Sequence, residues 1–426
     1  MCFVMSQLIS SLKGTRDFYP AEMSIHLWLY EIIKEISESF GYEAYEGPFL
    51  EKIELYAAKS GEELVKEQAF CFEDRGGEFI TLRPELTPSL ARMVAQRQRQ
   101  LFMPLRWYSF GNFWRYERPQ RGRTREFYQW NMDMIGASSP EADAELVAVC
   151  AAFFKRVGLG PDVVKIKVNN RRLMDQKLAE LDIPDDLWNA VFKLIDRRHK
   201  MKPDAWDRHA EEQGLSAVQI DGLNLLLKNE NLWKESEELK DTMEVLDIMG
   251  WGDYIEYEAS TIRGLDYYTG LVFEAVEVTG GRAILGGGHY DNLVGDVGGE
   301  PLPGVGFAMG DVLIKIIIKN YDLLPDFQNR NKKVVMVTVF DKSLQIESIR
   351  LASELRQEGI DTAIYPEPAK LLKQFKYADR KGMNYAIVLG PDEISQNVVS
   401  IKDLKTRKQE TFDRSKLISK IKRMLA

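Results

Sequence analysis

Residues 113–129 read FWRYERPQRGRTREFYQ, and the fold reading starts from how this stretch is arranged. Two β-rich, aromatic runs, 106–110 and 127–135, flank a glycine-containing loop at 119–124, which predicts neighbouring antiparallel strands. That geometry places Arg115, Arg123 and Arg125 around one concave surface. A guanidinium offers two parallel charge-assisted hydrogen bonds and never loses its charge, so it suits phosphate better than any other side chain. Several such groups around one loop fit a nucleoside triphosphate better than a phosphate monoester. The plain alternative is a solvated basic hairpin. Against it stands the following strand, where Phe127, Gln129 and Asp133 occupy even spacings and project from one face.

Working outward, further short strands are expected at 79–82, 270–278 and 304–309, with a helix from Asp311, a pattern that favours an antiparallel sheet over a doubly wound one. Residues 25–40 put Ile25, Leu29, Ile32, Ile33, Ile36 and Phe40 on one helical stripe, ended by Gly41. From 171 to 254 the sequence turns to charged helices, read as an insertion. Residues 321–330 form a polar, proline-containing linker, after which strand and helix alternate through 333–340, 343–358, 362–365, 371–380 and 385–389. This spacing implies a small α/β domain with a largely parallel sheet. The expected organisation is a core of 1–170 and 255–325, a helical insertion at 171–254, and a tail domain at 332–426.

The chain has 426 residues, 45% hydrophobic and 29% charged, which excludes disordered and collagen-like classes. Apolar runs are too short to cross a bilayer and the first ten residues lack a basic start, so a cytoplasmic protein is expected. Cys2, Cys71 and Cys150 form no CxxC pair, which rules out a disulfide framework; they are expected to be small buried residues. A net charge of −8 argues against a general nucleic-acid coat, yet residues 92–125 hold nine arginines and one acid, and residues 331–426 carry +7. Such asymmetry suggests a polyanion meeting two parts of the molecule.

Three other segments carry chemistry. In TLRPELTP (81–88), Glu85 and Thr87 share a face and suit an ammonium group, although Arg-Pro-Glu is also a common strand end with an exposed salt bridge. In IRGLDYYTGLVFE (262–274), Arg263 and the pair Tyr267 and Tyr268 are either readers of a polar ring or a core aromatic pair with a surface arginine. The glycine-rich LGGGHY (285–290) and GVGFAMG (304–310) match neither the Rossmann nor the P-loop spacing. His289 is either a base or a ligand, and the four scattered histidines make a metal or nucleophile triad improbable.

The order of KGTRDFYP (13–20), a helix ending before Pro48, FWRYERPQRGRTREFYQ, RGLDYYTG (263–270) and GVGFAMG resembles the histidyl-tRNA synthetases, class II aminoacyl-tRNA synthetases, over essentially the whole chain. The resemblance implies an α+β protein: a class II antiparallel-sheet catalytic core with a helical insertion and a C-terminal α/β anticodon-binding domain. It implies a homodimer, with the 25–40 helix helping to bury the contact, whereas by pattern alone that helix could equally belong to the core of its own chain. It implies ATP as substrate with Mg²⁺ on the pyrophosphate, L-histidine and tRNA(His) as partners, and no role for membrane or DNA. By motif, Arg115 holds the α-phosphate, Arg123 reaches the terminal phosphates, Glu117 lies near the nucleotide and Phe127 stacks on adenine. Glu85, Leu86, Thr87 and Gln129 surround the histidine amino and carboxylate ends. Asp133, Tyr268 and Tyr290, with Tyr267 beside them, read the imidazole. Arg115 and Arg263 are the catalytic pair. The basic balance of the tail favours tRNA contact through Lys370, Lys373, Lys376, Arg380 and Lys381, the alternatives being a solvated helix face and a plain dimerisation domain.

One departure stands out. The third class II motif commonly closes as Gly-x-Glu-Arg, whereas this chain reads Gly310-Asp311-Val312-Leu313, so that arginine's contact is either taken by another cation such as Arg123 or lost. This gives an alternative reading: a non-catalytic paralogue that regulates ATP phosphoribosyltransferase in histidine biosynthesis. A class II synthetase for threonine or proline shares the tail fold but leaves RGLDYYTG unexplained.

Overall fold

The computed structural model describes residues 8–57, 68–198, 201–262, 267–327 and 332–425. The chain divides into two compact units, Met1–Leu324 and Pro325–Ala426. In the first, α1 (Pro20–Ser39) leads to β1 (Glu43–Ala44), β2 (Leu50–Lys52) and α2 (Glu54–Ala57). Then come β3 (Phe70–Glu73), β4 (Phe79–Leu82), α3 (Thr87–Arg97), β5 (Leu105–Trp114), β6 (Glu126–Ile135), α4 (Pro140–Arg156) and β7 (Val164–Asn170). Helices α5 (Arg171–Glu180), α6 (Trp188–Asp196), α7 (Pro203–Glu212), α8 (Ala217–Leu226) and α9 (Glu237–Ile248) separate β7 from β8 (Ile255–Tyr257). β9 (Leu271–Glu277), β10 (Leu285–Tyr290), β11 (Gly304–Gly310) and α10 (Asp311–Asn320) complete the unit.

The main sheet has the order β1-β5-β6-β11-β10-β9-β7-β8. Its six central strands pair antiparallel and only the edges, β1 on β5 and β8 on β7, pair parallel. The antiparallel expectation therefore holds. Both parallel edge strands return over long connections, as parallel pairing requires.

Alternation along β6 decides what faces what. Trp130, Met132 and Met134 are buried in the main hydrophobic core together with α1 and α4. Phe127, Gln129, Asn131 and Asp133 turn to the other face and line a cavity. α4 is held at its start by Ser139, whose side chain accepts the Ala142 N–H, and by Pro140 in the first turn. It is buried on nearly every side. α3 and α4 interrupt the strand series.

α1 ends where Gly41 takes φ +79°. Its stripe of Leu29, Ile32, Ile33 and Ile36 lies in the core of its own chain, with Ile25 and Phe40 half-buried. The stripe thus serves the core of its own chain, the reading that the pattern alone equally allowed. Among the described cysteines, Cys150 is buried in α4 but Cys71 is exposed on β3, against expectation, because β3 is an outer strand of a small sheet ordered β2-β4-β3; Cys2 lies outside the described residues. Among the described residues no helix is long and apolar enough to cross a membrane.

In the second unit the sheet runs β13 (Thr362–Ile364), β12 (Val335–Val337), β14 (Tyr385–Val388), β15 (Val398–Asp403), β16 (Gln409–Asp413). The first two pairings are parallel and the last two antiparallel, so the sheet is mixed rather than largely parallel. The sequence reading missed the β15–β16 hairpin because β16 is almost wholly exposed and carries no alternating apolar signal. Helices Gln345–Gln357 and Leu371–Arg380 form at the expected places. Lys370, Lys373, Lys376, Arg380 and Lys381 are all exposed along the second.

Candidate active site

The face of the main sheet opposite α1 and α4 forms the floor of a cavity of about 1080 Å³. Glycine is required in that floor: Gly306 is paired in register with Asp133, and a methyl group there would run into the Asp133 carboxylate. The glycine-rich strands are thus a consequence of side chains and a ligand space lying close over the backbone.

At one end the polar groups are enclosed. Asp133 is buried, and Tyr290 Oη donates to its Oδ1 at 3.1 Å. Burial pushes the Asp133 carboxyl up to about 7, opposed in part by that hydrogen bond. Burial, then the neighbouring Asp133 charge, drives the Tyr290 phenol well above its usual value, so it stays a donor. Tyr267 and Tyr268 pack with ring centroids 4.7 Å apart, and burial drives the Tyr267 phenol well above its usual value. Glu85, Thr87 and Gln129 line the same region. Asn131, which sequence reasoning missed although it shares the β6 face, donates to Gln129 Oε1 at 3.3 Å and orients it.

Glu85 and Thr87 meet the cavity by a different route from the shared strand face expected of them. Thr87 begins α3 while Glu85 sits in the turn before it. Leu86 between them is fully buried and does not line the cavity. Arg83 anchors the turn. Far from an exposed salt bridge, it is completely buried, bonded to the Glu46 carboxylate, the Gly47 carbonyl at 3.0 Å and the Asn112 carbonyl at 2.9 Å, and lies between the Phe49 and Phe113 rings.

The other end is open and cationic. Arg115 donates from Nε to the Pro84 carbonyl at 2.8 Å, and its guanidinium carbon lies 5.6 Å from the centre of the Phe127 ring. One edge of the fork is thereby fixed and the other is left for a ligand. Phe127 is backed by Phe113 at 6.0 Å with a 28° interplanar angle, a flat support for a planar base. Arg123 pairs with Glu117 at 3.0 Å. Arg125, expected on the same concave surface, is elsewhere: it stacks on Tyr116 at 3.9 Å and donates to the Glu117 carbonyl, since it lies just before β6, where strand alternation does not yet set its direction. Arg263 lies outside the described residues.

One further expectation is corrected. His289 is neither a base nor a ligand of the cavity. It alternates away from Tyr290 on β10, bonds Asp143 of α4 at 2.8 Å and Asp291 at 3.3 Å, and its pKa is raised because these carboxylates outweigh desolvation. At the third-motif departure, Asp311 is fully buried and bridges two fork contacts from Arg16, both at 3.0 Å, Lys315 at 2.8 Å and the Tyr128 N–H at 2.9 Å. Leu313 lines the cavity against Gly122.

The comparisons with known proteins agree in direction. A family model described as histidyl-tRNA synthetase matches residues 14–311, and one described as anticodon binding domain matches residues 333–424. A histidine–tRNA ligase of Leptospira biflexa is 36% identical over 427 residues, covering 97% of this chain and 97% of its own. A chloroplastic/mitochondrial histidine–tRNA ligase of Arabidopsis thaliana is 38% identical over 410 residues, covering 93% of this chain and 83% of its own. The crystal structure of histidyl-tRNA synthetase from Nostoc sp. PCC 7120 superposes with a TM-score of 0.79 at 24% identity, over 98% of this chain and all of that one.

Proposed function

The chain belongs to the histidyl-tRNA synthetase family, and on that premise we propose how its side chains divide the work of a histidine–tRNA ligase. The enzyme joins L-histidine to tRNA(His) in two steps with ATP. A histidine carboxylate oxygen attacks the α-phosphorus, pyrophosphate leaves, and the histidyl-adenylate then passes its acyl group to a hydroxyl at the tRNA 3′ end with release of AMP.

The observation that carries the division is the enclosed Asp133–Tyr290 pair at the foot of a cavity whose mouth holds Arg115. A neutral imidazole has one N–H donor and one acceptor nitrogen. Asp133 accepts the ring N–H and the Tyr268 hydroxyl serves the other nitrogen. Glu85 and Thr87 take the ammonium group, and Gln129 the main-chain end of the amino acid. Phe127 supports the adenine. The free edge of the Arg115 fork stabilises charge developing on the α-phosphate, jointly with Arg263, whose role comes from the motif RGLDYYTG. Mg²⁺ would come with ATP as the counterion of its pyrophosphate.

The exposed lysines of the second unit make contact with tRNA phosphates, a salt-sensitive source of affinity. Pairing with a second copy is also proposed, on family grounds. The regulatory alternative has less behind it, because the anticodon-binding match and the end-to-end ligase relatives both call for a complete synthetase.

The test is ATP–pyrophosphate exchange with each of the standard amino acids. Histidine alone should support it, and exchange with none would return the regulatory reading to the front.

A further inference from the structure

We propose that Arg282, at the tip of the β9–β10 hairpin, holds the terminal phosphates of ATP together with Arg123, in place of the arginine that Leu313 replaces. The inference rests on the ligase reading and extends it to a residue that no motif marks.

Arg282 lines the cavity at its open, cationic end, as do Arg123, Glu117 and Leu313. The three segments that carry them converge. Leu313 lies against Gly122, the neighbour of Arg123, and Arg282 stands within the fields of both Arg123 and Glu117. The position that lost a cation and the tip that offers one therefore serve the same end of the cavity.

The other cations there are committed. Lys165 donates to the Asp253 carbonyl at 2.6 Å and Lys167 pairs with Glu258 at 3.3 Å. Arg115 has spent one nitrogen on Pro84. Among the described residues Arg282 has no hydrogen bond or ion pair. Glu117, paired with Arg123, also acts on Arg282, and partial burial and the Arg123 charge together hold the Arg282 pKa down. Two guanidinium groups within each other's field are relieved by an anion carrying several charges. The tip is also fixed in shape: Gly280 and Gly281 take φ +86° and +138°, and the Gly280 N–H donates to the Glu277 carbonyl at 2.9 Å. The backbone turn, rather than a long flexible loop, sets where Arg282 starts.

The test uses the full-length enzyme and ATP–pyrophosphate exchange. Arg282→Ala should raise the KM for both ATP and pyrophosphate about tenfold, the loss of roughly one charge-assisted hydrogen bond. The KM for histidine and the affinity for a non-hydrolysable histidyl-sulfamoyl-adenosine, which lacks the departing phosphates, should stay within about twofold of wild type. Adding Leu313→Arg to the Arg282→Ala variant should recover most of the loss. Unchanged ATP and pyrophosphate constants overturn the inference, as does an equal loss of adenylate-analogue binding or an effect confined to the KM for tRNA. A wild-type enzyme that shows no histidine-dependent exchange overturns the ligase reading and this inference with it, so the two failures are distinguishable.

Discussion

The two ends of the cavity are built on opposite principles. At the ring end, Asp133 and Tyr290 are enclosed and bonded to each other, and Tyr267 packs against Tyr268. At the phosphate end, Arg123 is 44% exposed, its partner is a single carboxylate, and the third-motif arginine is absent. The difference follows from solvation. A buried polar group left without its partner costs about 1–3 kcal/mol, and more when charged, so no member of the enclosed set can change alone. An exposed cation facing a flexible, highly charged triphosphate can be supplied from another segment at little cost. Recognition of the ring is therefore locked to positions, whereas recognition of the phosphates is a count of charges delivered to a region.

The sharpest way to break this contrast is at its enclosed end. Asp133→Ala leaves Tyr290 and the ligand N–H both unpaired, and should lower kcat/KM for histidine in the exchange reaction by about 10²–10³-fold, with the KM for ATP little changed. A loss below tenfold would place ring recognition elsewhere. Next in size is Arg115→Ala. Because the charge it meets grows as the α-phosphate is attacked, exchange kcat should fall about 10²-fold while the histidine KM moves much less. A change confined to KM would make Arg115 a binding group and remove it from the chemistry.

The same contrast explains how much could be read from the sequence. The ring end was legible because strand alternation is strict: once β6 was recognised, Phe127, Gln129 and Asp133 had to share a face, and Asn131 could have been added by the same count. The phosphate end was legible only where arginines sit in a dense run. Arg282 is a lone arginine in a glycine turn, and Asp311 finds Arg16 across 295 residues, a pairing that no local pattern announces. Arg83 resembled an ordinary strand end; only its enclosure between Phe49 and Phe113 reveals that it sets the turn presenting Glu85. Among the elements, α4 escaped notice because burial on nearly all sides removes the amphipathic stripe by which a helix is recognised. β16 escaped for the opposite reason, having almost no buried face.

The smallest expected effect probes the enclosed end most finely. Burial holds the Asp133 carboxyl at about 7 in the free enzyme, against an ordinary value of 3.8. The folded protein thus binds more protons than the unfolded chain between those limits, and the contribution of Asp133 to stability is present at low pH and lost as pH rises toward 7. Ligand binding has the opposite sign. A ring N–H donated to Asp133 favours the carboxylate, so binding releases a proton and affinity must rise with pH through the same region. Going from pH 6.5 to 7.5 increases the ionised fraction about threefold, and that factor sets the expected gain in affinity. Histidine itself titrates there, so the measurement needs a triazole analogue whose ring stays neutral, with Asp133→Asn as the control. The wild type should bind the analogue about threefold more tightly at the higher pH, and the control should show no such trend. A flat wild-type profile would mean that the carboxyl is already ionised in the free pocket, and hence that this end is wetter than its enclosure implies.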